Sequence, residues 1–392
     1  MDRNLKNAIE DKRDYMVSLR RELHRFPEVS SKEYRTREIL LRELEALGAE
    51  VEKLGGTGLI VRIDGKEPGP CRVIRADMDG LPVTEEDNLR GKKVCVSEDP
   101  GKCHACGHDA HMAMLMGALR VLLEHRENLK CTVLCCFEEG EEYNTGVYKM
   151  LEALSKYPVE ECFSLHVYAG LDARKLDIAP GPRMSGMVGI GFNVIGRPGH
   201  GSRPDQAVNP IVPAAHIVTQ LDSAFNNQLS AEEPVTLSLC VFDAGEAPNV
   251  IPESAYIAGT ARYFSPAEGD KALEIVKRIA VNTADSYRCK VEFAERNRII
   301  LPPVINVPGI AGRVSRGVKE MYGDDAIGSC SPWFASESFS LYLEKYPGAV
   351  GLLGIRNEAC GSGAPHHNGR FDIDEGVMPL GAAAHLAFVF GE

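Results

Sequence analysis

Residues 131–142 read CTVLCCFEEGEE, a mostly apolar run that ends in four glutamates around one glycine. The run has the length of one buried strand, and similar runs occur around Val73-Ile74 and at 163–167. A helical pattern begins near Asp109, between the run at Val73-Ile74 and the run that starts at residue 131. Alternating strands and helices predict an α/β fold with a mostly parallel sheet, whose ligands collect beyond the carboxyl ends of its strands.

Residues suited to metal binding or proton transfer follow these predicted strands. Those at or just past the strand ends are Asp77, Asp79, Glu141, Glu142 and His166. The segment 106–111, CGHDAH, adds a thiol and two imidazoles at the start of the predicted helix, and a His-His pair stands at 366–367. Thiolate and imidazole ligands on separate segments, with adjacent acids left for proton transfer, are typical of a catalytic metal site. These patterns predict a metal-dependent hydrolase.

The segment 103–106 contains a C-x-x-C pattern, which has two simpler interpretations. Half of a zinc ribbon would need a second cysteine pair at suitable spacing, and the sequence has none. A redox pair would leave the nearby histidines and glutamates without a role. We therefore interpret Cys106 as a metal ligand and Cys103 as incidental.

The pattern changes around Gly181-Pro182, where the sequence predicts an inserted domain. The predicted elements there are strand 188–195, helix 209–224, strand 235–242, strand 254–264, helix 267–286 and strand 289–295. This β-α-β-β-α-β order is that of a small ferredoxin-like α+β unit. Because the His-His pair follows the insert, the first domain uses both ends of the chain. We predict boundaries of 1–183 and 298–392 for the first domain and 184–297 for the insert.

Composition limits the partners and the compartment. The 392 residues carry a formal net charge of −12, whereas nucleic-acid-binding proteins usually display a basic stripe. The first residues mix charges throughout, without the apolar core of a signal peptide, and no apolar stretch is long enough to span a bilayer. Twelve scattered cysteines predict free thiols in a reducing compartment. We expect a cytoplasmic protein with neither a nucleic-acid nor a membrane partner.

Six short motifs occur in one order along the chain. They are LHRFPE (23–28), RADMDGLP (75–82), HACGHD (104–109), GHGSRP (199–204), NVIP (249–252) and SESF (336–339). As a set they resemble the metallopeptidase-like amidohydrolases, which include hippurate hydrolases, N-acyl-amino-acid amidohydrolases and auxin-conjugate hydrolases. The resemblance runs from about residue 15 to the C-terminus. It implies a two-metal site, an α/β catalytic domain and a ferredoxin-like lid that usually mediates dimerisation, and hence a homodimer or a higher homo-oligomer.

The resemblance also implies the metal ligands, residue by residue. Two divalent ions per subunit would be held by Cys106, His108, Glu142, His166 and His367. Manganese, zinc, cobalt or nickel would suit this mixture of sulfur, nitrogen and oxygen ligands. His104 and His366 receive no role, since His366 is out of register with the ligand of the family. Other histidines fall on helical patterns and are interpreted as core or capping residues, namely His111, His125, His216 and His385.

The acids at 138–142 offer two candidate pairs, and the family pattern selects one. It has a phenylalanine, three residues, a Glu-Glu pair, and a methionine eight positions after the second acid. Phe137 and Met150 fit this pattern only if the pair is Glu141-Glu142. Glu141 would then be the general base, which takes a proton from water and later donates it to the departing amine. Asp79 would orient a ligand, although an Asp-Gly pair can also simply form a turn.

Three residues of the insert complete the predicted catalytic and substrate-binding set. In the family, the equivalent of His200 reaches the active site of the neighbouring subunit and stabilises the oxyanion. Asn249 and Arg262 match lid positions that hold the substrate carboxylate in relatives, a task that suits a planar guanidinium.

These residues predict hydrolysis of an N-acyl-amino acid, a small-molecule substrate, to a carboxylic acid and an amino acid. A dipeptidase or aminopeptidase of the same clan is a second interpretation, although relatives with an aspartate at the position of Cys106 are the ones that are commonly peptidases. A third is a non-catalytic binding protein that kept the fold. Loss of a ligand or of the acid would mark that class, and every such position is filled.

Overall fold

The computed structural model describes residues 3–66 and 69–392. The chain divides into two compact units. The first, the catalytic unit, consists of Met1–Gly181, Ile305–Ser331 and Leu341–Glu392, and the second, the insert unit, consists of Pro182–Val304 and Pro332–Ser340. The insert unit therefore lies within the sequence of the catalytic unit. The predicted insert boundaries, residues 184 and 297, stay a prediction.

The described residues form helices and strands that we number in chain order. The α-helices are α1 (Arg3–Glu10), α2 (Arg13–Arg25), α3 (Tyr34–Ala46), α4 (His108–Glu124), α5 (Val147–Leu154), α6 (Ile211–Gln228), α7 (Pro266–Ser286), α8 (Pro308–Tyr322), α9 (Ser340–Leu343) and α10 (Met378–Phe390). The strands are β1 (Glu50–Lys53), β2 (Leu59–Ile63), β3 (Cys71–Asp77), β4 (Thr132–Glu138), β5 (Val159–Asp172), β6 (Leu176–Asp177), β7 (Gly181–Met184), β8 (Gly186–Ile195), β9 (Gly199–His200), β10 (Val235–Asp243), β11 (Val250–Ile251), β12 (Ser254–Tyr263), β13 (Lys290–Phe293), β14 (Ile299–Leu301), β15 (Val304–Asn306) and β16 (Gly348–Arg356).

A seven-stranded sheet in the order β1-β2-β4-β3-β5-β16-β6 forms the centre of the catalytic unit. Its four middle strands, β4, β3, β5 and β16, are parallel to one another, and β1, β2 and β6 pair antiparallel. The predicted α/β fold with a mostly parallel sheet is confirmed. Helix α4 is buried on every side from His108 to Leu119, because it packs against β3 as well as against α2 and α10. An apolar residue at nearly every position of α4 is the sequence signature of such burial.

The carboxyl ends of the parallel strands carry the residues picked out in the sequence. Strand β3 ends at Asp77, and β4 ends at Glu138, three residues before Glu141. His166 differs from the prediction, because β5 continues to Asp172 and the histidine lies inside the strand. The pairing of β5 with β3 nevertheless stops at Ser164, so His166 lies just beyond the paired part.

The insert unit contains an antiparallel sheet with the strand order β10-β12-β8-β13. With α6 and α7, its elements follow one another as β8-α6-β10-β12-α7-β13, which is the ferredoxin-like order. Every second residue of β8 from Val188 to Val194 is fully buried, and these side chains pack in one cluster with residues of α6 and α7. This period of two places the helices on one face of the sheet.

No helix in residues 3–66 or 69–392 combines the length and the apolar character needed to cross a bilayer.

Candidate metal centre

Gly107 separates the predicted ligands Cys106 and His108 and fixes where each can point. Its φ of +88° lies in the left-handed region, which glycine adopts without steric cost. A Cβ atom on this residue would lie 2.4 Å from Val167 Cγ2. Because α4 begins at His108, the imidazole stands on the first turn of a buried helix and the thiol stands directly before it. Both side chains are buried.

His108 and Asp79 form a buried pair. The Nδ1–H of His108 donates to Asp79 Oδ1 over 3.1 Å, since a carboxylate can only accept. In the neutral ring, this bond leaves the lone pair on Nε2. That Nε2 atom is buried and has no hydrogen-bond partner among the described residues.

Asp79 also positions the acidic pair. Its oxygens accept the backbone N–H groups of Glu141 at 3.2 Å and Glu142 at 3.1 Å, and the hydroxyl of Ser30 at 2.6 Å. Glu141–Tyr143 form one turn of 3₁₀ helix, so both acids leave the same short turn. Asp79 therefore contacts the helix that carries one predicted ligand and the turn that carries another.

The neighbouring acids Glu138 and Glu139 have partners of their own. Glu138 is fully buried, and its Oε1 accepts from Arg75 Nη2 at 2.7 Å. Glu139 accepts from the hydroxyl of Thr57 at 2.7 Å and pairs with Lys149. A carboxylate oxygen of Glu141 and of Glu142 instead lies within 4.8 Å of a ring nitrogen of His108. This geometry supports the choice of the second acidic pair.

The remaining predicted ligands, His166 and His367, converge on Cys106 and Glu142. His166 Nε2 lies 3.6 Å from Cys106 Sγ, and its Nδ1–H donates to the carbonyl oxygen of Val167 at 2.6 Å. His367 Nε2 lies 3.3 Å from Glu142 Oε1. Ligand atoms of Cys106, Glu142 and His367 all lie within 4.8 Å of one another. The structure thus brings the five predicted ligands together in the catalytic unit.

Asp77 and His111 also lie among these side chains, but their polar atoms are engaged. The Nδ1–H of His111 donates to Asp77 Oδ1 at 2.6 Å, and its Nε2 accepts the backbone N–H of Val167 at 2.9 Å. Asp77 Oδ2 accepts from Arg75 Nη1 at 2.8 Å. We therefore interpret this pair as a support for the ligands. The helical pattern around His111 predicted a core histidine and gave no sign of the contact with Asp77.

His366 is another neighbour of Cys106 that the sequence left without a role. Its Nε2 accepts the backbone N–H of Ala169 at 3.2 Å, and its Nδ1 lies 3.9 Å from Cys106 Sγ. Burial lowers the pKa of His366 to about 3, so this ring stays neutral. His367 turns toward Glu142 instead, with a φ of +59° and its backbone N–H on the carbonyl oxygen of Ala105 at 2.9 Å.

Bound cations would change the charge balance of the cluster. Burial alone would lower the pKa of His108, but Asp77 and Asp79 raise it well above its usual value, and Glu142 raises the pKa of His367. Burial and the charge of Glu142 raise the pKa of the Cys106 thiol well above its usual value, and a cation would reverse this shift. Burial and the nearby His111 lower the pKa of His166, which keeps that imidazole neutral, the form that binds metal. His108 Nε2 is buried without a hydrogen-bond partner among the described residues and lies 3.9 Å from Glu142 Oε1, the oxygen that faces His367 Nε2 at 3.3 Å. In contrast, burial raises the pKa of Cys103 to about 12, so that thiol stays protonated.

The three predicted residues of the insert unit lie on β-structure. His200 is in β9, which pairs with β11 at Val250, and Asn249 precedes β11 directly. The carbonyl oxygen of Asn249 accepts the backbone N–H of Gly201 at 2.8 Å, so His200 and Asn249 belong to one small ribbon. Arg262 lies in β12 and is partly buried, and its Nη1 has no hydrogen-bond partner among the described residues.

Comparison with known proteins identifies the family. The model for peptidase family M20/M25/M40 matches residues 73–390. Thermostable carboxypeptidase 1 of Saccharolobus solfataricus is 32% identical over 97% of this chain and 96% of its own length. IAA-amino acid hydrolase ILR1-like 2 of Arabidopsis thaliana is 33% identical (95% and 84%), and N-acetylcysteine deacetylase of Bacillus subtilis is 31% identical (95% and 96%).

The similarity extends to solved structures. A dinuclear metal-binding peptidase of the M20 family from Bacillus subtilis superposes with a TM-score of 0.83 at 28% identity, over 97% of this chain and 98% of that one. A protein from methicillin-resistant Staphylococcus aureus superposes with a TM-score of 0.92 at 29% identity, over 100% and 99% of the two chains. The predicted family and the predicted class of enzyme are confirmed. The chain belongs to peptidase family M20/M25/M40 and is a metal-dependent hydrolase of amide bonds.

Proposed function

We propose that this enzyme hydrolyses N-acyl-amino acids to a carboxylic acid and a free amino acid. Two divalent cations per subunit would be held by Cys106, His108, Glu142, His166 and His367. The convergence of these side chains in the catalytic unit and the buried His108 Nε2, which has no hydrogen-bond partner among the described residues, support this ligand set. The donors permit manganese, zinc, cobalt or nickel. When bound, such cations acidify water and polarise the amide carbonyl group.

Glu141 would act as the general base and later as the acid. Its backbone N–H is held by Asp79, and its carboxylate, which is largely buried, lies beside His108 and Glu142. In our proposal, a carboxylate oxygen of Glu141 takes the proton of the attacking water and delivers it to the nitrogen of the departing amino acid. Asp79 would act through His108 and through the turn of the acidic pair, as a positioning residue.

The observation that carries the substrate assignment is the guanidinium of Arg262. Burial lowers its pKa, and Nη1 has no hydrogen-bond partner among the described residues, so an anionic ligand would satisfy it. A free carboxylate is the group that a guanidinium binds best. The relatives support the same reading: an amino-acid conjugate and N-acetylcysteine both carry an amide nitrogen and a carboxylate on one amino acid. Asn249 would assist on the same unit.

His200 would supply a hydrogen bond to the oxyanion. Its Nδ1 accepts the backbone N–H of Ser202 at 3.1 Å, and the Ser202 hydroxyl lies 2.7 Å from the same nitrogen. In the neutral ring this places the remaining proton on Nε2, which suits a donor to a developing negative charge. We infer that His200 serves the neighbouring subunit of a homodimer. The outer strand β10, with Val241 and Phe242 exposed by 43% and 47%, supports association through the insert unit.

A carboxypeptidase activity is the second candidate, because two thermostable carboxypeptidases are each 32% identical to this chain. A peptide with a free C-terminus offers the same carboxylate to Arg262 as an N-acyl-amino acid does. An aminopeptidase would instead need recognition of a free amine. An N-acyl-amino-acid hydrolase and a carboxypeptidase therefore differ in the group that they accept on the acyl side of the amide bond.

The test is a substrate panel with defined metal added. N-acetyl, N-benzoyl and long-chain N-acyl amino acids are compared with dipeptides, and each acyl amino acid is paired with its C-terminal amide, which lacks the carboxylate. We expect the acyl amino acids to have the highest kcat/KM. Amidation of the substrate should raise KM strongly, and so should Arg262→Met when the substrate is an acid. With the amidated substrates, Arg262→Met should leave KM unchanged. Preference for dipeptides with a free amine, or equal hydrolysis of acids and amides, would refute the proposal.

A further inference from the structure

A continuous chain of hydrogen bonds between buried side chains links two segments that carry predicted metal ligands. Its four side chains are Asp109, His24, Glu85 and Lys93, and it ends on the backbone carbonyl oxygen of Gly369. The successive distances are 2.7 Å from Asp109 Oδ2 to His24 Nδ1, 2.8 Å from His24 Nε2 to Glu85 Oε1, 2.8 Å from Glu85 Oε1 to Lys93 Nζ, and 2.9 Å from Lys93 Nζ to the carbonyl oxygen. We call these five residues the buried polar chain.

The two ends of this chain lie next to two predicted metal ligands. Asp109 directly follows His108 on the first turn of α4. Gly369 comes two residues after His367, in a loop that approaches the site from the C-terminal part of the sequence. The buried polar chain therefore connects the segment of Cys106 and His108 with the segment of His367, although more than 250 residues separate them in sequence.

The members of the chain are too deeply buried and too well paired for an ordinary surface network. Asp109 is fully buried, His24 is 1% exposed, and the side chains of Glu85 and Lys93 are 8% and 1% exposed. Both ring nitrogens of His24 face carboxylate oxygens, so both act as donors. Acidic and basic groups alternate along the chain, and each buried charge is compensated by its neighbours.

Further bonds hold the same loop to the same segment. The carbonyl oxygen of Gly369 also accepts the backbone N–H of Glu86 at 2.8 Å. Asn88 donates to the carbonyl oxygen of Cys360 at 3.0 Å and to Asp372 Oδ2 at 2.8 Å. Segment 85–93 thus binds the loop 360–372 before and after His367.

We infer that Glu85 and Lys93 are positioning residues for the metal centre: they hold the His367 loop at a fixed place relative to α4 without contributing a ligand. This inference rests on the proposed function only in taking His108 and His367 as ligands. Removal of a group hydrogen-bonded directly to a ligand typically changes metal affinity by about 10- to 100-fold, and we expect these more distant supports to act near the lower end of that range. A side chain that only stabilised the fold would leave the affinity of the folded protein unchanged.

The decisive variant is Lys93→Met, which removes Nζ and keeps most of the aliphatic stem. The metal-free protein is prepared by chelation, and manganese or cobalt binding is then measured by calorimetry beside Tm with and without metal. We expect metal affinity to fall about 10-fold or more, and the rise of Tm on metal addition to shrink. Lys93→Arg, which restores a cationic donor, should recover most of the affinity.

Lys102→Met is the matched control, because Lys102 belongs to the same connecting region and its ion pair among the described residues is with the exposed Asp99, at 2.6 Å. It should bind metal as the parent does. The rate of amide hydrogen exchange in peptides covering 360–372 gives a second readout. With metal bound, this rate should be higher in Lys93→Met than in the parent. If Lys93→Met does not fold, Glu85→Gln is measured in the same way, and we expect the same loss of affinity.

Two results separate the possible failures. If His367→Ala loses metal while Lys93→Met and Glu85→Gln bind it as tightly as the parent, the positioning role is refuted and the ligand assignment stands. If His367→Ala itself retains full metal content and affinity, the proposed ligand set is wrong, and with it the basis of this inference.

Discussion

Arg75 donates from Nη2 to Glu138 Oε1 over 2.7 Å, and both side chains are fully buried. The same guanidinium donates from Nη1 to Asp77, so one arginine holds the carboxyl ends of the adjacent strands β3 and β4. Glu138 is therefore a structural partner in the sheet. Glu141, three residues later, has left the strand and lies beside His108.

This difference predicts opposite behaviour for two otherwise identical substitutions. Glu141→Gln removes the proton-transfer group and keeps its shape, so kcat should fall at least about a hundredfold while metal content stays the same. Glu138→Gln removes one of the two carboxylates that compensate the buried charge of Arg75, so it should lower the free energy of unfolding by about 3 kcal/mol. The folded fraction of Glu138→Gln should remain active. Steady-state kinetics, elemental analysis and denaturant unfolding test both variants, and an inactive Glu138→Gln beside an active Glu141→Gln would reverse our assignment.

Removal of metal should abolish hydrolysis. The five predicted ligands include a buried thiol whose pKa is raised by burial, and without a cation this group stays protonated. We expect a chelator to eliminate activity and manganese, cobalt or zinc to restore it. Titration should need about two equivalents of metal per subunit for full recovery. Full activity in a preparation shown by elemental analysis to be free of metal would contradict this prediction.

The sequence predicted the fold well because each element carries its own local pattern. The alternation of buried residues along β8 and the continuous apolar surface of α4 are both visible in the sequence. Helices α2 and α3 are separated by a segment that contains Pro27, since proline cannot continue a helix. The predicted position of His166 at a strand end was less accurate. Nothing in the local sequence marks the point where β5 stops pairing with β3.

The supports of the site could not be predicted in the same way. Ser30, Glu85 and Lys93 stand in segments with no metal-ligand pattern, and their partners are between 8 and 276 residues away in sequence. Hydrogen bonds of this range depend on the folded arrangement of the loops. The predicted ligands could be named because two of them, Cys106 and His108, lie in one short motif and because the family resemblance implied the others. Their supporting residues are ordinary charged and polar residues that gain a role only from burial.

The buried polar chain also predicts a pH dependence of stability. Burial alone would raise the pKa of Glu85, but the hydrogen bonds and charges of His24 and Lys93 lower it to about 2. The carboxyl group in the unfolded chain titrates near 4.3. Because the folded pKa is the lower one, Glu85 contributes stability above about pH 4.5, and this contribution is lost as the pH falls toward 2.

Glu85→Gln should therefore reduce the free energy of unfolding at pH 7 and flatten its decline between about pH 5 and 3. Denaturant unfolding of the metal-free protein at several pH values measures this, since metal would otherwise dissociate during the series. Some decline of the free energy of unfolding should remain in this variant, because Asp109 also contributes to it. Burial alone would raise the pKa of Asp109, but Arg20 and His24 lower it. Glu98→Gln, at a surface pair with Arg25, is the control and should leave the slope unchanged. Equal slopes in Glu85→Gln and the parent would contradict the prediction.

His200 should act across the homodimer that we propose. It is exposed on the β9–β11 ribbon of the insert unit, and the tautomer set by Ser202 leaves Nε2–H as a donor. His200→Ala should therefore lower kcat by about a hundredfold or more, the scale of one lost oxyanion donor, while metal content and Tm remain near those of the parent. Glu141→Gln should be inactive for a separate reason, as argued above.

Mixing these two inactive proteins then gives a test of the dimer. A hybrid dimer has one site that combines Glu141 of the His200→Ala chain with His200 of the Glu141→Gln chain, and its other site carries both defects. With random exchange of equal amounts, about half of the dimers are hybrids, so about a quarter of all sites should regain the parental rate. Tagged chains and co-purification must first establish that exchange has occurred, and mixtures of each variant with itself serve as blanks. If proven hybrids remain inactive, His200 acts within its own subunit or only supports the structure of the insert unit.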